Sequence, residues 1–555
     1  MIEYYKKDWR IYIPVLHGNL SGLKASYLNA LERIYRRKLH REFISPELAR
    51  YLTSISHEIN RQIGILASRA GNITHVIVGD AKGIFIPALE DYPLGRKALR
   101  GLRLVHTHLQ EEPLTQDDLT DLALLRFDLV AAIGVRDGLP GNIHVAHLMP
   151  AGKEPFEILH NQNFHSFELD FTPFIEALEE EMERSRHFNP DDRRERAILV
   201  SVSKQPKYEQ EDSVAELDEL ARSSDLLVLD TVIQRIKVIN TRYLMGEGKI
   251  KDLIINALSK GATILIFDQE LSPSQVKAVS ELTELKVIDR SQLILDIFAR
   301  RAHSRDGKVQ VELAQLKYRL PRLTGKGTAM SRLMGGIGGR GPGEMKLEID
   351  RRRVRDRIAL LEKDLRSIGE ARKQRKQRRI ETGIPIVSII GYTNAGKSTL
   401  LNSLTKSGVF VEDKLFATLD TASRRLRFPR ERDVIVTDTV GFIRDLPKDL
   451  LTAFRATLEE LEDADLLVHL IDASNPRFEQ QMDSVENILT ELQLHEKSRI
   501  LVFNKIDRIR TEEAMNLAMR YHAVTICARD SSTFNPLLRA IEENIWSEKL
   551  VEAEV

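Results

Sequence analysis

Several features of other protein classes are scarce or missing in this sequence of 555 residues. Its one cysteine, Cys527, excludes a disulfide within the chain and cysteine-rich metal sites. No stretch approaches the ~20 consecutive apolar residues of a membrane-spanning helix, and the first residues lack the apolar core of a signal peptide. The 82 basic and 82 acidic side chains balance, so no net field favours nucleic acid. These absences predict a cytoplasmic protein, with partial membrane association left open as an alternative.

The most informative stretch is a glycine-bounded loop at 391–398, between an apolar run and a helix-like run. A buried strand, a loop of this kind ending in Lys-Ser, and a helix form the pattern of a P-loop. Its glycines would let the backbone approach phosphates, and Lys397 would reach the β- and γ-phosphates. The Ser398 hydroxyl would ligate Mg²⁺. The predicted phosphate-binding residues are Gly391, Tyr392, Thr393, Asn394, Ala395, Gly396, Lys397 and Ser398.

Three further stretches follow in the order typical of GTP-binding proteins. In the first, Thr418 is the candidate switch threonine, placed to ligate Mg²⁺ and sense the γ-phosphate. In the second, Asp-x-x-Gly, Asp438 would hold Mg²⁺ through water and the Gly441 N–H would meet the γ-phosphate. In the third, Asn-Lys-x-Asp, the Asp507 carboxylate would accept from N1–H and the exocyclic amine of guanine, which adenine cannot match. These stretches add the predicted GTP-binding residues Phe416, Ala417, Thr418, Leu419, Asp420, Asp438, Thr439, Val440, Gly441, Asn504, Lys505, Ile506 and Asp507.

Two stretches depart from the usual GTPase pattern. Cys527, Ala528 and Arg529 stand where Ser-Ala-Lys is usual, so guanine O6 would depend on the Ala528 N–H. Phe442 follows the Asp-x-x-Gly element, where Ras-like GTPases carry a glutamine that orients the attacking water. No catalytic side chain is therefore identified, and intrinsic hydrolysis is predicted to be slow, on the order of 10⁻⁴–10⁻² per second. Asn394 matches the position at which several GTPases lacking that glutamine bind K⁺, which makes K⁺ an additional candidate cofactor.

Residues 1–190 predict an extra α/β domain, because short apolar runs, among them 84–87, alternate with helix-like segments. His106 and His108 end one predicted strand, and Asp117 and Asp118 follow. Two histidines one residue apart on a strand point the same way, and a carboxylate would complete a zinc site.

This constellation faintly resembles the His-x-His … Ser-x-x-Asp site of JAMM-type metalloproteases. However, Leu109 replaces the proline of that family, the serine is not at the expected spacing, and the upstream catalytic glutamate is missing. We therefore favour two ordinary histidines at a strand end, with an inactive relic of that fold as the alternative.

The sequence of the middle of the chain predicts a helical hairpin that binds RNA. Residues 198–295 alternate strands with helices and predict a small parallel sheet. Within 296–380, two segments carry apolar residues three or four positions apart, the spacing of an amphipathic helix. They predict an antiparallel helical hairpin with a glycine-rich, basic loop at its tip. No acidic residue occurs from 322 to 343, which suits contact with a phosphate backbone. The predicted RNA contacts are Lys326, Arg332 and Arg340.

The glycine-rich run at 335–344, Gly-Glu-Gly-Lys at 246–249 and Asp-Thr-Val-Gly-Phe at 438–442 are similar to the signature of HflX-type GTPases. The resemblance covers about 200–550, and the chain departs from it in the extra region 1–190, at 276–281 and at Cys527. It implies a GTPase that binds the large ribosomal subunit and its rRNA, is stimulated by the ribosome, and splits or rescues stalled ribosomes.

The predicted fold is therefore α/β and multidomain. It comprises an extra α/β domain of unknown role at 1–190, an HflX-type α/β subdomain at 198–295, a helical hairpin at 296–380 and a P-loop GTPase domain at 384–550. The chain is expected to be a monomer, with GTP as substrate and Mg²⁺ bound by Ser398, Thr418 and, through water, Asp438. Two alternatives stay open: a GTP-regulated RNA-binding or remodelling protein that does not split ribosomes, and an enzyme whose main chemistry lies in 1–190.

Overall fold

Three β-sheets organise the protein, whose computed structural model divides into two compact units. One unit contains Met1–Ile198, Ile239–Leu265 and Ala278–Lys286, and the other contains the rest of the chain. The structure describes residues 15–39, 42–89, 91–92, 98–149, 155–184, 194–323, 351–370, 383–405, 422–428, 432–439, 441–444 and 461–552. Among these residues, none of the helices is both long enough and apolar enough to cross a membrane.

The first sheet contains seven strands among the described residues. They are β1 (Leu16–Gly18), β2 (Ile63–Ser68), β3 (Ile73–Val78), β4 (Leu102–His108), β5 (Leu129–Arg136), β6 (Leu139–Leu148) and β7 (Phe156–Asn163). Their order is β1-β3-β2-β4-β5-β6-β7, with β4 antiparallel to β2 and parallel to β5. Strand β4 is thus central, and every one of its residues is buried.

Four helices belong to the same part of the chain: α1 (Ala25–Ile34), α2 (Pro46–Ile59), α3 (Gln116–Leu125) and α4 (Phe171–Arg184). Their apolar faces bury residues such as Leu31, Leu52 and Phe171 in one core with the sheet. The strand predicted at 84–87 is wrong, because that segment is irregular. Pro87 has no N–H for a strand ladder, and the Ile84 side chain instead lies against Gly64.

The second sheet has the order β11-β10-β8-β9. Its strands are β8 (Arg196–Ser203), β9 (Leu227–Arg235), β10 (Ile264–Phe267) and β11 (Lys286–Asp289), and the helices between and after them are α5 (Lys207–Ser223), α6 (Glu247–Ser259), α7 (Pro273–Leu282) and α8 (Arg290–Arg301). Thr263 N donates to Arg196 O and Asp268 N donates to Val200 O, each at 2.8 Å. The paired residue numbers rise together, so β8 and β10 are parallel, as the alternation of strands and helices predicted.

Two further helices follow, α9 (Arg305–Arg319) and α10 at 351–370. Ion pairs join them, from Arg357 to Glu312 at 2.7 Å and from Lys317 to Glu362 at 2.8 Å. All four side chains are exposed, so each pair adds no more than about 1 kcal/mol of stability. The predicted RNA contacts Lys326, Arg332 and Arg340 lie outside the described residues.

The third sheet carries the predicted GTPase motifs. Its order is β13-β14-β12-β15-β16-β17, with strands β12 (Ile386–Gly391), β13 (Ala422–Phe428), β14 (Arg432–Asp438), β15 (Leu466–Asp472), β16 (Arg499–Asn504) and β17 (Val524–Thr525). The accompanying helices are α11 (Lys397–Thr405), α12 (Phe478–Glu491), α13 (Thr511–Tyr521) and α14 (Asn535–Glu552). Strand β12 runs parallel to both of its neighbours, β14 and β15. Loops at the carboxyl ends of these parallel strands meet at one edge, the usual place of a ligand site.

The α/β multidomain architecture with a P-loop fold is therefore confirmed, and the boundaries proposed for the individual domains stay predictions.

Candidate nucleotide-binding site

The loop at 391–398 wraps tightly between β12 and α11. Gly391 has φ 147° and Gly396 has φ 97°, conformations that side chains strain. A Cβ on Gly391 would lie 2.2 Å from Leu470 O, and one on Gly396 would lie 2.4 Å from Asn504 Nδ2. The loop is thus pressed against β15 and β16, and only glycine fits at these two positions.

Lys397 is buried at the start of α11. Its Nζ donates to the backbone oxygens of Gly391 at 3.1 Å and Tyr392 at 2.8 Å. Burial lowers the pKa of Lys397 to about 8, and the charge of Asp438 opposes part of that shift. A buried ammonium held by backbone carbonyls is stabilised when an anionic ligand arrives.

Two side chains that could ligate a metal ion through oxygen, Ser398 and Asp438, lie beside this lysine. Ser398 Oγ donates to Asp438 Oδ2 at 2.6 Å, and Asp438 is fully buried at the end of β14. A hydroxyl and a carboxylate are the hard oxygen ligands that Mg²⁺ prefers. The described residues therefore fit a magnesium ion, whereas Thr418, the third predicted ligand, lies outside the described residues.

The segment at 441–444 is fastened to the loop through its backbone. Phe442 N donates to Gly391 O at 3.1 Å, and Thr393 N donates to Phe442 O at 2.8 Å. A Cβ on Gly441 would stand 3.0 Å from Lys397 Nζ, so this glycine allows close approach to the lysine. The Phe442 ring is buried and packs in the interior, where it offers no polar atom to a water molecule.

Asn504 connects the loop to the far side of the site. Its Nδ2 donates to Ala395 O at 2.8 Å, and its Oδ1 accepts from Ala528 N at 2.8 Å. The Ala528 N–H expected to meet guanine O6 thus already has a protein partner, with which the base would share it. Lys505 pairs with Asp472 Oδ2 at 2.7 Å, which holds the lysine stem beside the same edge.

Cys527 and Asp507 lie together at the base-binding end. Burial raises the pKa of the Cys527 thiol, and a hydrogen bond to the Asp507 carboxylate raises it further. The thiol therefore stands at the position of the usual serine and lies beside the carboxylate predicted to select guanine. Ile506 begins the adjoining 3₁₀ turn, and Arg529 is exposed.

The structure thus brings together the predicted residues of 391–398, Asp438, Gly441, Asn504, Asp507 and Ala528. The Thr439 hydroxyl instead contacts strand β12, where it donates to Ile389 O at 2.8 Å. The remaining predicted residues lie outside the described residues; they are Phe416, Ala417, Thr418, Leu419, Asp420 and Val440.

Sequence reasoning missed a connection from the loop to helix α5. Tyr392 Oη donates to Glu216 Oε1 at 2.5 Å and accepts from Arg444 N at 2.7 Å. Glu216 also pairs with Arg290 Nη2 at 2.6 Å, and Arg290 Nη1 reaches Asp268 at 3.1 Å. Glu216 and Tyr392 are 176 residues apart in the chain, so no local pattern could have indicated their contact.

A cavity of about 550 Å³ opens beside this connection. Its wall includes Asn394 of the loop, Arg444, Lys505 and, from α5, Asp212 and Glu216. The volume lies within the ~300–1,000 Å³ that small-molecule sites occupy, but Lys397, Ser398 and Asp438 do not line this cavity.

Three family models match consecutive parts of the chain. Residues 211–299 match the GTP-binding GTPase N-terminal model, and residues 301–379 match the GTP-binding GTPase Middle Region model. Residues 386–505 match a model described as 50S ribosome-binding GTPase.

The matches to individual relatives cover most of the length of each relative. The GTPase HflX of Caldanaerobacter subterraneus is 47% identical, over 64% of this chain and 82% of that protein. The GTPase HflX of Escherichia coli is 43% identical, over 59% of this chain and 76% of that protein. The crystal structure of a GTP-binding protein from Sulfolobus solfataricus in complex with GDP is 25% identical, over 63% of this chain and 98% of that chain, with a TM-score of 0.34.

Proposed function

This chain belongs to the HflX GTPase family, and on that premise we propose that it is a GTP-driven switch that associates with the large ribosomal subunit and splits or rescues stalled ribosomes. Hydrolysis of GTP follows from family membership. The match of 386–505 to a model described as 50S ribosome-binding GTPase supports the choice of partner. Work on ribosomes would place the protein in the cytoplasm, and the monomeric state stays a prediction.

The observation that carries the nucleotide part of the proposal is the buried ammonium of Lys397, held by two backbone carbonyls at the mouth of a glycine-bounded loop. Phosphate oxygens would supply the negative charge that stabilises this cation. The N–H groups of the loop and the start of α11 would add positive potential for the same anion. Asp507 would select guanine, and Cys527 lies beside its carboxylate.

Ser398, Asp438 and Thr418 are the residues that would hold Mg²⁺. The ion, when bound, would neutralise charge on the phosphates. Asn394 is an exposed residue of the loop at 391–398 with φ 62°, and it is the residue we propose for K⁺.

Slow basal hydrolysis is expected from the environment of Phe442. Its ring is buried and its backbone is engaged by Gly391 and Thr393. It cannot orient water, so acceleration must come from a polar group or an ordering contact that the ribosome supplies. This dependence on the partner is what a switch working on a large assembly requires.

Tyr392 supports the idea that nucleotide state affects the rest of the chain. Its hydroxyl contacts Arg444 N, three residues beyond Gly441, and Glu216 of α5. A movement of 441–444 on loss of the γ-phosphate would therefore change a hydrogen bond that also holds α5.

The basic tip loop is the proposed contact with rRNA, through Lys326, Arg332 and Arg340. We would measure light scattering of intact ribosomes mixed with the protein and GTP. The expected result is a GTP-dependent fall in scattering as subunits separate. The double variant Lys326→Ala, Arg340→Ala should lose this activity, whereas Arg184→Ala, Lys207→Ala removes the same charge from exposed positions and should retain it.

A second candidate function is GTP-regulated RNA binding without splitting. The stretch from 351 to 379 favours it, because it contains thirteen basic and four acidic residues. Unchanged scattering combined with GTP-dependent binding to ribosomes would support this candidate and exclude splitting.

A further inference from the structure

The central strand of the first sheet ends in a compact cluster of two histidines and a carboxylate. His106 and His108 are two residues apart on β4, so both rings face the same side of the sheet. Their Nε2 atoms are 2.9 Å apart. Asp118 places Oδ1 at 3.3 Å from the His106 Nε2 and Oδ2 at 3.6 Å from the His108 Nε2. Three side chains that are distant from the GTPase motifs in sequence thus converge on one point.

The spacing of these atoms matches the coordination shell of a metal ion. Ligands bound at ~2.0–2.1 Å in a tetrahedral arrangement stand about 3.3 Å from one another. The two imidazole nitrogens are 2.9 Å apart, and each has one Asp118 oxygen at 3.3 or 3.6 Å, so the separations lie close to that value. Little movement would be needed to place an ion between the three groups.

The hydrogen bond on the far side of His108 directs its lone pair into the cluster. His108 Nδ1 lies 2.8 Å from Glu112 O, and a carbonyl oxygen can only accept. Nδ1 therefore carries a proton, and in the neutral imidazole Nε2 has a lone pair that faces His106 and Asp118. A backbone carbonyl behind the ligating imidazole is the usual outer partner of a metal-bound histidine.

Asp118 is held in place before any ligand arrives. It is the third residue of α3, and its Oδ2 accepts from both N and Oγ1 of Thr115 at 2.7 Å. The Thr115 Oγ1 in turn accepts from Asp118 N at 3.2 Å, which completes a capping box. The start of the helix thus fixes the carboxylate against the two imidazoles. Asp117, the other candidate of the sequence, is not part of the cluster.

We propose that His106, His108 and Asp118 bind one divalent transition-metal ion, with zinc the best match. Two imidazole nitrogens and one carboxylate oxygen suit Zn²⁺, whereas Mg²⁺ and Ca²⁺ prefer oxygen ligands alone. Three protein ligands leave a fourth position for water or a small anionic ligand. This site would be separate from the nucleotide site and would give the region 1–190 a chemistry of its own.

The test uses the full-length protein with GDP and excess Mg²⁺ present, so that the nucleotide site is already filled. The protein is stripped with a chelator, reloaded with Zn²⁺, separated from free metal, and its zinc content is measured. We expect one zinc per chain in the parent protein. In parallel, Co²⁺ should give the intense visible bands of a tetrahedral site, which a cobalt ion replacing Mg²⁺ at an oxygen site does not give.

Asp118→Asn keeps the shape of the side chain but removes its charge, and it should weaken zinc binding by at least about tenfold. His108→Ala should remove the ion and the cobalt bands. The control is His147→Gln, a buried histidine of the same sheet that instead packs edge-on against Phe174, and it should bind zinc like the parent.

Zinc should also raise the thermal midpoint of the parent protein and not that of Asp118→Asn, because binding to the folded state stabilises it. This second measurement keeps the proposal testable if His108→Ala does not fold. Two results would overturn the assignment: a parent protein that retains no zinc, or zinc content in Asp118→Asn and His108→Ala that equals the content of the parent.

Discussion

The protein buries two cations in very different surroundings, Arg290 beside α5 and Lys397 in the loop at the end of β12. Arg290 contacts two carboxylates, those of Glu216 and Asp268. Burial alone would lower the pKa of Arg290, but Glu216 and Asp268 reverse that effect and raise the pKa above its usual value. Lys397 donates to backbone carbonyls, and burial lowers its pKa to about 8.

The difference separates a stabilising residue from a binding residue. The carboxylates of Glu216 and Asp268 balance the charge of Arg290, so this charge does not need an anionic ligand. The charge of Lys397 is left for something else to balance, and the phosphates of GTP are suited to do so. A buried cation lacking close carboxylate contact is therefore informative about function, whereas a buried ion-pair network chiefly indicates how parts of the chain are joined.

The largest effect should come from removing the balanced cation. Arg290→Met keeps the apolar volume but leaves Glu216 and Asp268 buried without their partner. We expect the free energy of unfolding of the nucleotide-free protein to fall by about 3–5 kcal/mol, measured by urea titration. Arg300→Ala is the control on the same helix, because Arg300 contacts only the Ser224 carbonyl among the hydrogen bonds described, and it should lose about 1 kcal/mol. Equal losses in the two variants would contradict the role given to Arg290.

Lys397→Met should affect GTP binding rather than the stability of the fold. It removes a buried charge whose burial costs stability in the nucleotide-free protein, so the free energy of unfolding should not fall. Affinity for GTP should fall by at least about 100-fold, roughly 3 kcal/mol, because charge-assisted contacts to the phosphates are lost. Titration with a fluorescent GTP analogue measures this change. Unaltered affinity would show that the loop is not the phosphate site.

The lowered pKa of Lys397 predicts a specific pH dependence. Without nucleotide, Lys397 titrates at about 8 in the folded protein and near 10.5 when unfolded, so the free energy of unfolding should rise with pH across that window. Bound phosphate would favour the charged lysine, so binding takes up a proton above pH 8. Affinity for GDP should therefore fall by up to about tenfold per pH unit above 8.

The control for this prediction is Lys397→Arg, whose guanidinium stays charged over the same range. Its affinity for GDP should depend on pH only through ionisation of the nucleotide. Parallel pH profiles in the parent protein and the variant would refute the assignment of the titration to Lys397.

The smallest effect is expected at Tyr392, which connects the loop at 391–398 to helix α5. Tyr392→Phe removes the hydroxyl that contacts Glu216 and Arg444 N, and it should lower the free energy of unfolding by about 1 kcal/mol. Basal affinity for GTP should change little, whereas ribosome-stimulated hydrolysis should fall, because the hydroxyl connects 441–444 to α5. Tyr521→Phe removes a comparable but exposed hydrogen bond to Glu479 and should leave stimulation intact. A stimulated rate that is equal in both variants would exclude this connection.

The comparison also shows what the sequence could predict. The loop at 391–398 was predictable because its constraints are local: two glycines, a lysine and the order of strand and helix stand together in the chain. The starts of α6 and α7 have similarly local signals, since Gly246 directly precedes α6 and Pro273 is the first residue of α7. The architecture of the P-loop fold followed from the same short-range patterns.

Contacts that depend on packing between distant segments were not predictable. Tyr392 meets Glu216 across 176 residues, and Arg290 reaches Asp268 only because β10 and the start of α8 lie side by side. The same holds for Asp118, whose position against His106 and His108 depends on where α3 begins. The apolar run at 84–87 was mistaken for a strand because hydrophobicity does not reveal whether the backbone has a partner.

Co-sedimentation of the full-length protein with purified large ribosomal subunits tests the central claim most directly. The account predicts that the protein sediments with the subunit in the presence of a non-hydrolysable GTP analogue, and that it stays in the supernatant with GDP. Equal sedimentation with the analogue, with GDP and without nucleotide would contradict it, because the nucleotide at Lys397 would then not control association with the ribosome.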